Sequence, residues 1–170
     1  MDRDRWRDSS KGKGDGEMIS PISFFVPGVP KTAGSKRAFP LWRGKGPNKQ
    51  FVRSIITDSS GASGKAWRSS IRDEAAEAFG ARDLLDGSLH IEFTFYVTRP
   101  KSHLNKSGNL KPWAPRRPAT RPDALKLARA AEDALTGIIW KDDAQITTEV
   151  LRKRYADKPG MDVEIREDVE

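Results

Sequence analysis

The 170-residue chain carries 31 lysines and arginines against 24 aspartates and glutamates, a formal charge of +7, and no cysteine. That length suits one hydrophobic core, and the missing thiols exclude a disulfide framework or a thiolate metal site. No apolar run nears the roughly 18 residues of a membrane span, and the N-terminus lacks the apolar stretch of a signal peptide, so a soluble cytoplasmic protein is expected.

Residues 1–18 are charged, Gly-rich and without periodicity, and read as a disordered tail ahead of one domain over 19–170. Ile22 to Val26 is a short apolar strand closed by the turn signal Pro27-Gly28. A basic loop is expected from there to about Lys49. Phe51 to Thr57 reads as a second strand, ending in a Ser/Gly-rich turn over Asp58–Ser63. Trp67, Ile71, Ala75 and Phe79 recur every fourth residue and predict a helix over Lys65–Phe79 with Gly80 as its C-cap. Leu89, Ile91, Phe93, Phe95 and Val97 alternate with polar residues, the period of a half-buried strand central to a sheet.

Pro100, Pro112, Pro115 and Pro118 make residues 99–121 a long loop, and loops of that length in compact domains are commonly functional. Pro122 opens a second helix, Asp123–Leu135, whose Ala124, Ala128, Ala131 and Leu135 form a narrow apolar stripe that implies close packing. Gln145–Tyr155 and Met161–Arg166 complete the chain as strands on either side of Pro159-Gly160. The pattern predicts an α+β fold, a mixed β-sheet with two main helices packed on one face.

The distribution of charge says more than its total. Lys31, Lys36, Arg37, Arg43, Lys45, Lys49 and Arg53 form one stretch without a carboxylate, and Arg99, Lys101, Lys106, Lys111, Arg116, Arg117 and Arg121 form another. A polyanion is their natural partner, because each neutralised phosphate releases condensed counterions. A basic surface kept only for solubility would intersperse both signs. Trp42 and Trp113 sit inside these loops, where an aromatic can stack on an unpaired base or fold back over apolar surface.

Three carboxylates flank the second helix: Asp123 at its start, and Asp142 with Asp143 after its closing turn. Acids in front of cationic loops can hold Mg²⁺ and so supply a nucleophilic water and support for a departing oxygen. In an extended segment only one of Asp142 and Asp143 faces such a site, and composition does not say which. The plainer readings are that Asp123 is an N-cap and that the pair opens a solvated loop. Glu132 is read as part of an exposed helix face and Asp133 as an acid at the core edge. His90 and His103 give no zinc signature, and no Gly-rich phosphate loop or nucleophile elbow is present.

The runs Arg121-Pro122-Asp123, Ala130 to Gly137 and Trp140-Lys141-Asp142-Asp143-Ala144-Gln145-Ile146 resemble the signature of RusA-type Holliday junction resolvases. Val26 to Pro30, Gly34 to Phe39, Arg99 to His103 and Lys158-Pro159-Gly160 resemble phage-type members, so that the likeness runs in order from about residue 22 to 166. A phage gene carried in a bacterial host is one setting. The resemblance implies a RusA-like fold and a homodimer that nicks two symmetric strands of branched DNA with Mg²⁺, or Mn²⁺ in its place. Carried over singly, the first catalytic aspartate falls on Asp123 and the last on Asp143, both as metal ligands, with Asp142 beside the latter. The second falls on Leu125, the following asparagine on Lys126, and the essential lysine on Arg129, which keeps the charge but is no tunable proton donor.

The DNA cradle would be Lys31, Lys36, Arg37, Arg43, Lys101, Lys106, Lys111, Arg116, Arg117 and Arg121. Two other readings stay open: a junction-binding protein whose cleavage is weakened or lost through Leu125, and a basic RNA-binding protein without catalysis.

Overall fold

The computed structural model of the chain describes residues 20–34, 36–58 and 61–169, and the side chains of 36, 37, 57 and 58 are not described. The expected tail over 1–18 lies outside these residues. Six strands and two long helices follow in the order β1 (Ile22–Pro27), β2 (Lys36–Arg43), β3 (Gln50–Asp58), α1 (Gly61–Phe79), β4 (Leu89–Val97), α2 (Ala124–Leu135), β5 (Ile146–Tyr155) and β6 (Gly160–Glu167). Four strands make a mixed sheet in the order β1-β6-β4-β5, with β4 and β5 parallel and the other neighbours antiparallel. The chain is α+β, as its periodicities predict, and β4 is central.

The parallel pair β4 and β5 is joined through α2, because parallel neighbours need a crossover long enough to return the chain to the same end of the sheet. Leu89, Ile91, Phe93 and Phe95 of β4 are buried, as are Met161, Val163 and Ile165 of β6. They meet Trp67, Ile71, Ala75 and Phe79 of α1 and Leu127, Ala128, Ala131, Ala134 and Leu135 of α2 in one cluster. The α2 stripe is wider than the one read from its alanines: Leu127, Ala130 and Ala134 are buried too. Each large apolar side chain so enclosed contributes about 1.5–3 kcal/mol.

Two expectations are corrected. Residues Lys36–Arg43, read as loop, form β2, paired with β3 in an antiparallel hairpin that is a separate two-stranded sheet. Cations at its two ends and Pro40 at its middle hid the strand signal, since no face of the run is apolar throughout. Helix α1 starts at Gly61, inside the stretch read as a turn. Small residues there cap poorly as helix formers, but the first turn continues a helix whose later turns are fixed by packing.

Loop 99–121 is irregular yet tightly tied. Arg99 donates to the carbonyls of Pro115 and Arg116 and lies 4.0 Å over the Tyr155 ring. His103 stands edge-on to both Trp113 and Tyr155. Lys111 donates to the Ser102 carbonyl and covers Trp113. Lys153 of β5 reaches the carbonyls of Thr120 and Pro122, at 2.8 and 2.7 Å, and so fixes the approach to α2.

Strands β1 and β6 approach so closely at Gly160 that a Cβ there would stand 2.2 Å from Phe25 Cζ and 2.7 Å from the Val26 carbonyl oxygen. The ring can swing away but the carbonyl belongs to the strand. Gly160→Ala is therefore expected to destabilise the fold by about 1–3 kcal/mol, read as a lower urea midpoint; a midpoint equal to the parent's would show that the strand pair yields without cost.

Candidate active site

Helix α2 carries an acid at each end, and each acid lies in a different cleft. Asp123 has extended backbone geometry and its carboxylate accepts from the Leu125 N–H at 3.0 Å, which makes it the N-cap. It lines an open cleft of about 660 Å³ with Thr32, Arg121, Pro122 and Lys126. The backbone N–H of Ala33 donates to the Lys126 carbonyl, pinning the segment before the hairpin against this end of the helix.

The other end is set by Trp140, which is fully buried. Its indole N–H donates to Thr136 Oγ1, and that hydroxyl donates to the Glu132 carbonyl. The turn so formed delivers the Asp142-Asp143 pair, and the geometry separates their roles. Asp142 caps the short 3-10 turn Asp143–Gln145: it accepts from Ala144 N–H at 2.9 Å, while Gln145 Oε1 accepts from the N–H groups of Lys141 and Asp142. Asp143 instead lines a cleft of about 340 Å³ with Glu132, Ala144, Ile146, Thr147 and Glu149.

Glu132 and Asp133 are the reverse of their sequence reading. Asp133 is exposed and Glu132 is half-buried. Burial pushes the Glu132 carboxyl up to about 8, helped by a side-chain hydrogen bond with Glu149 and by the nearby charges of Glu149, Asp143 and Asp133. Neither Glu132 nor Glu149 was picked out from the sequence. A signal existed for both: Glu132 lies seven residues after Leu125 on the Arg129 stripe, and Glu149 sits on the inward parity of β5, in step with the half-buried Leu151.

Asp123 and Asp143 are not brought together. Nine helical residues separate Asp123 from Glu132, about 13 Å of axial rise, and four strand residues separate Glu149 from Lys153, again about 13 Å. The two rulers agree because Lys153 is anchored at Pro122 and Glu149 at Glu132. Between the acids lie Leu125 and Arg129, both exposed. Leu125 is 68% accessible and joins no core. Among the described residues, no three acids or histidines stand close enough to cage a metal ion.

Of the expected DNA contacts, Lys31, Arg43, Lys101, Lys106, Arg116, Arg117 and Arg121 are exposed, and Lys111 is partly buried in its loop. The side chains of Lys36 and Arg37 lie outside those described. None of the described cations in these loops is paired with a carboxylate among the described residues.

A family profile described as Endodeoxyribonuclease RusA matches residues 46–166. The chain is also 32% identical to the uncharacterized protein YqaN of Bacillus subtilis (strain 168) over 87 residues, which covers 49% of this chain and 61% of that protein. The match thus spans less than two thirds of that relative's length. No helix among the described residues is long and apolar enough to cross a membrane.

The acid cleft gives stability a pH dependence of known sign. Glu132 keeps its proton to about pH 8 when folded, against an ordinary value of 4.5. Between those values the folded chain binds more protons than the unfolded one, so stability falls as pH rises through that window. In chelator-containing buffer the parent should lose on the order of 1–3 kcal/mol from pH 5 to pH 8 relative to Glu132→Gln. Parallel urea midpoints for the two proteins across that range would exclude this acid as the cause.

Proposed function

The chain belongs to the RusA endodeoxyribonuclease family, and on that premise we propose that it is a divalent-metal-dependent endonuclease of four-way and other branched DNA, working as a homodimer by paired symmetric nicks. The observation that carries this reading is the segregation of charge. A cleft of carboxylates around Asp143 lies on a chain whose stretches 31–53 and 99–121 are cationic and free of acids. Phosphate is drawn to these stretches, and a hard cation to the cleft.

The donor set fits Mg²⁺ or Mn²⁺ in an open site. Such ions take one or two carboxylates and complete their shell with water and substrate oxygens, so a closed cage is not required. Asp143 would hold the ion with Glu149 and Glu132 beside it. Asp123 stays at the far end of α2, in the cleft with Arg121 and Lys126, where its own cap bond occupies one oxygen. When bound, the metal supplies a water of lowered pKa and charge stabilisation for the transferring phosphoryl group.

The remaining work falls to the chain. Arg129, exposed on the α2 face between the two acid-bearing ends, is placed to meet phosphate charge, and its fixed protonation suits electrostatic support over proton transfer. Asp142 and Gln145 hold the backbone from which Asp143 projects. Arg121 and Lys126 flank Asp123 and offset its repulsion from phosphate.

A second reading, a junction-binding protein with blunted cleavage, is favoured by one observation: Leu125 offers an exposed methyl surface where the family pattern carries an acid. Substituting it is structurally harmless. An aspartate at this second position of α2 would face solvent and the positive helix end, which favours an acid by about 0.3–1 kcal/mol.

Cutting of a labelled four-way junction in Mg²⁺ separates the readings. Asp143→Asn is expected to abolish it while junction binding persists, and Asp142→Asn, which still caps, to leave most of it. Cutting by Asp143→Asn at the parent's rate would remove Asp143 from the site, and no cutting by the parent at any Mg²⁺ or Mn²⁺ concentration would favour the second reading.

Leu125→Asp should melt at or above the parent's temperature and cut faster at low Mg²⁺, since a third carboxylate on the α2 groove raises the local cation concentration. A melting temperature several degrees lower would contradict the exposure of this position, and an unchanged metal requirement would show that the lost acid does not limit the reaction.

A further inference from the structure

None of the described side chains of the β2–β3 hairpin joins the core. Its strands pair with each other and belong to no larger sheet, and a lone two-stranded ribbon is marginally stable in water. Yet it exposes large apolar side chains on both strands, among them Phe39, Trp42, Phe51 and Ile56. A soluble protein keeps such surface where something binds it.

The tip shows what that something is. Trp42 and Phe51 are cross-strand partners whose rings meet edge to face, with centroids 5.7 Å apart and an interplanar angle of 76°. Both are about half accessible, at 50% and 56%. A register irregularity at Leu41/Trp42 leaves Val52 unopposed and twists the ribbon just below the pair. The turn beyond is tight: Gly44 has φ +93°, and a Cβ there would stand 3.0 Å from the Asn48 carbonyl oxygen. Around the two rings stand Arg43, Lys45, Lys49 and Arg53, all exposed, and no carboxylate occurs from Lys31 to Arg53.

We infer that the Trp42–Phe51 pair is a stacking wedge that takes the unpaired or splayed bases at the branch point of the DNA. The cations decide between occupants. A second copy of this chain, itself at +7, would bring two uniformly cationic tips together, whereas DNA supplies phosphate for the cations and a π-face for the rings. Duplex DNA hides its base faces, and a branch point exposes them, so the wedge confers preference for branched structure without reading sequence. The root of the hairpin is pinned at Ala33 to α2 beside the Asp123 cleft, which Thr32 also lines, and the eight residues of β2 span about 25 Å from root to tip.

This inference rests on the branched-DNA reading above, and the test separates the two. Affinities of the parent, Trp42→Ala and Trp42→Tyr are measured in chelator for an immobile four-way junction, the same junction with abasic sites at its branch point, and a duplex of equal length. Sedimentation of each protein is run alongside. Stacking is worth about 1–3 kcal/mol per base, so Trp42→Ala should bind the intact junction roughly 5- to 150-fold more weakly and the duplex within about 2-fold of the parent.

Trp42→Tyr should restore most of the loss, and the Trp42→Ala penalty should vanish on the abasic junction, because the ring then has no base to lose. A parent that prefers the junction, with a Trp42→Ala variant that keeps this preference, overturns the wedge alone. A penalty that persists undiminished on the abasic junction, or a Trp42→Ala variant that sediments as a smaller species, also overturns it and assigns the hairpin to another contact. A parent that binds junction and duplex alike removes the reading beneath it and the wedge together.

Discussion

Everything at the acid end of this protein depends on the burial of one indole. Trp140 lies fully inside the core and spends its single N–H on Thr136, which in turn closes the last turn of α2 on Glu132. The indole ring fixes position and the hydroxyl fixes direction. Gly137 N–H then bonds the Trp140 carbonyl at 2.7 Å, and Leu85 N–H bonds that of Ile139 at 2.7 Å, so the turn is held from both sides. Because the chain leaves this turn on a set path, Asp142 falls into a capping position and Asp143 into the cleft beside Glu132. A polar pair of identical residues is thereby split, by packing several residues upstream, into one that caps the turn and one that lines the acid cleft.

The same economy governs the length of α2. Its role as a crossover between parallel strands requires that it run the length of β5, and Lys153 ties its start to the far end of that strand. Acids at its two ends are consequently kept about 13 Å apart by the fold itself. Electrostatics follow from that distance. The N-terminal acid lines its cleft with Arg121 and Lys126; the C-terminal acids face one another, and one of them, Glu132, keeps its proton. Like charges converge only where a counter-charge is to be bound or where the rest of the fold offsets their repulsion. On a chain of +7 the persistence of such a cleft is the more informative half of the charge pattern.

What the sequence disclosed and what it concealed divide along physical lines. Periodic apolar residues gave β1, β4, β6 and both helices nearly to their ends, since burial on one face is what the period encodes. Strand β2 escapes such a reading because none of its described side chains enters the core, leaving no alternation for burial to impose. The assignment of Glu132 and Asp133 failed for a related reason: a helix stripe predicts which face is buried, but α2 buries more than one stripe, and the boundary shifted by one residue. Family resemblance points to Asp123, Asp143 and Arg129 as positions along a chain, and such positions do not measure the space between the clefts that Asp123 and Asp143 line. Capping chemistry, which decides between Asp142 and Asp143, lies in backbone angles that one sequence does not fix.

The hairpin shows where stability and function part. Its described side chains offer the core nothing, and its exposed rings and methyls raise the free energy of the free protein in water. Selection for folding alone would shorten such a ribbon or make it polar. Exposed rings beside cations, with no carboxylate from Lys31 to Arg53, suit a partner that offers an apolar face and negative charge together, as the proposed wedge requires. Under the proposed wedge, the body of the protein is stable by itself and the hairpin is completed by its partner. The acid cleft is held by a buried indole, whereas the hairpin is the element least constrained by the core.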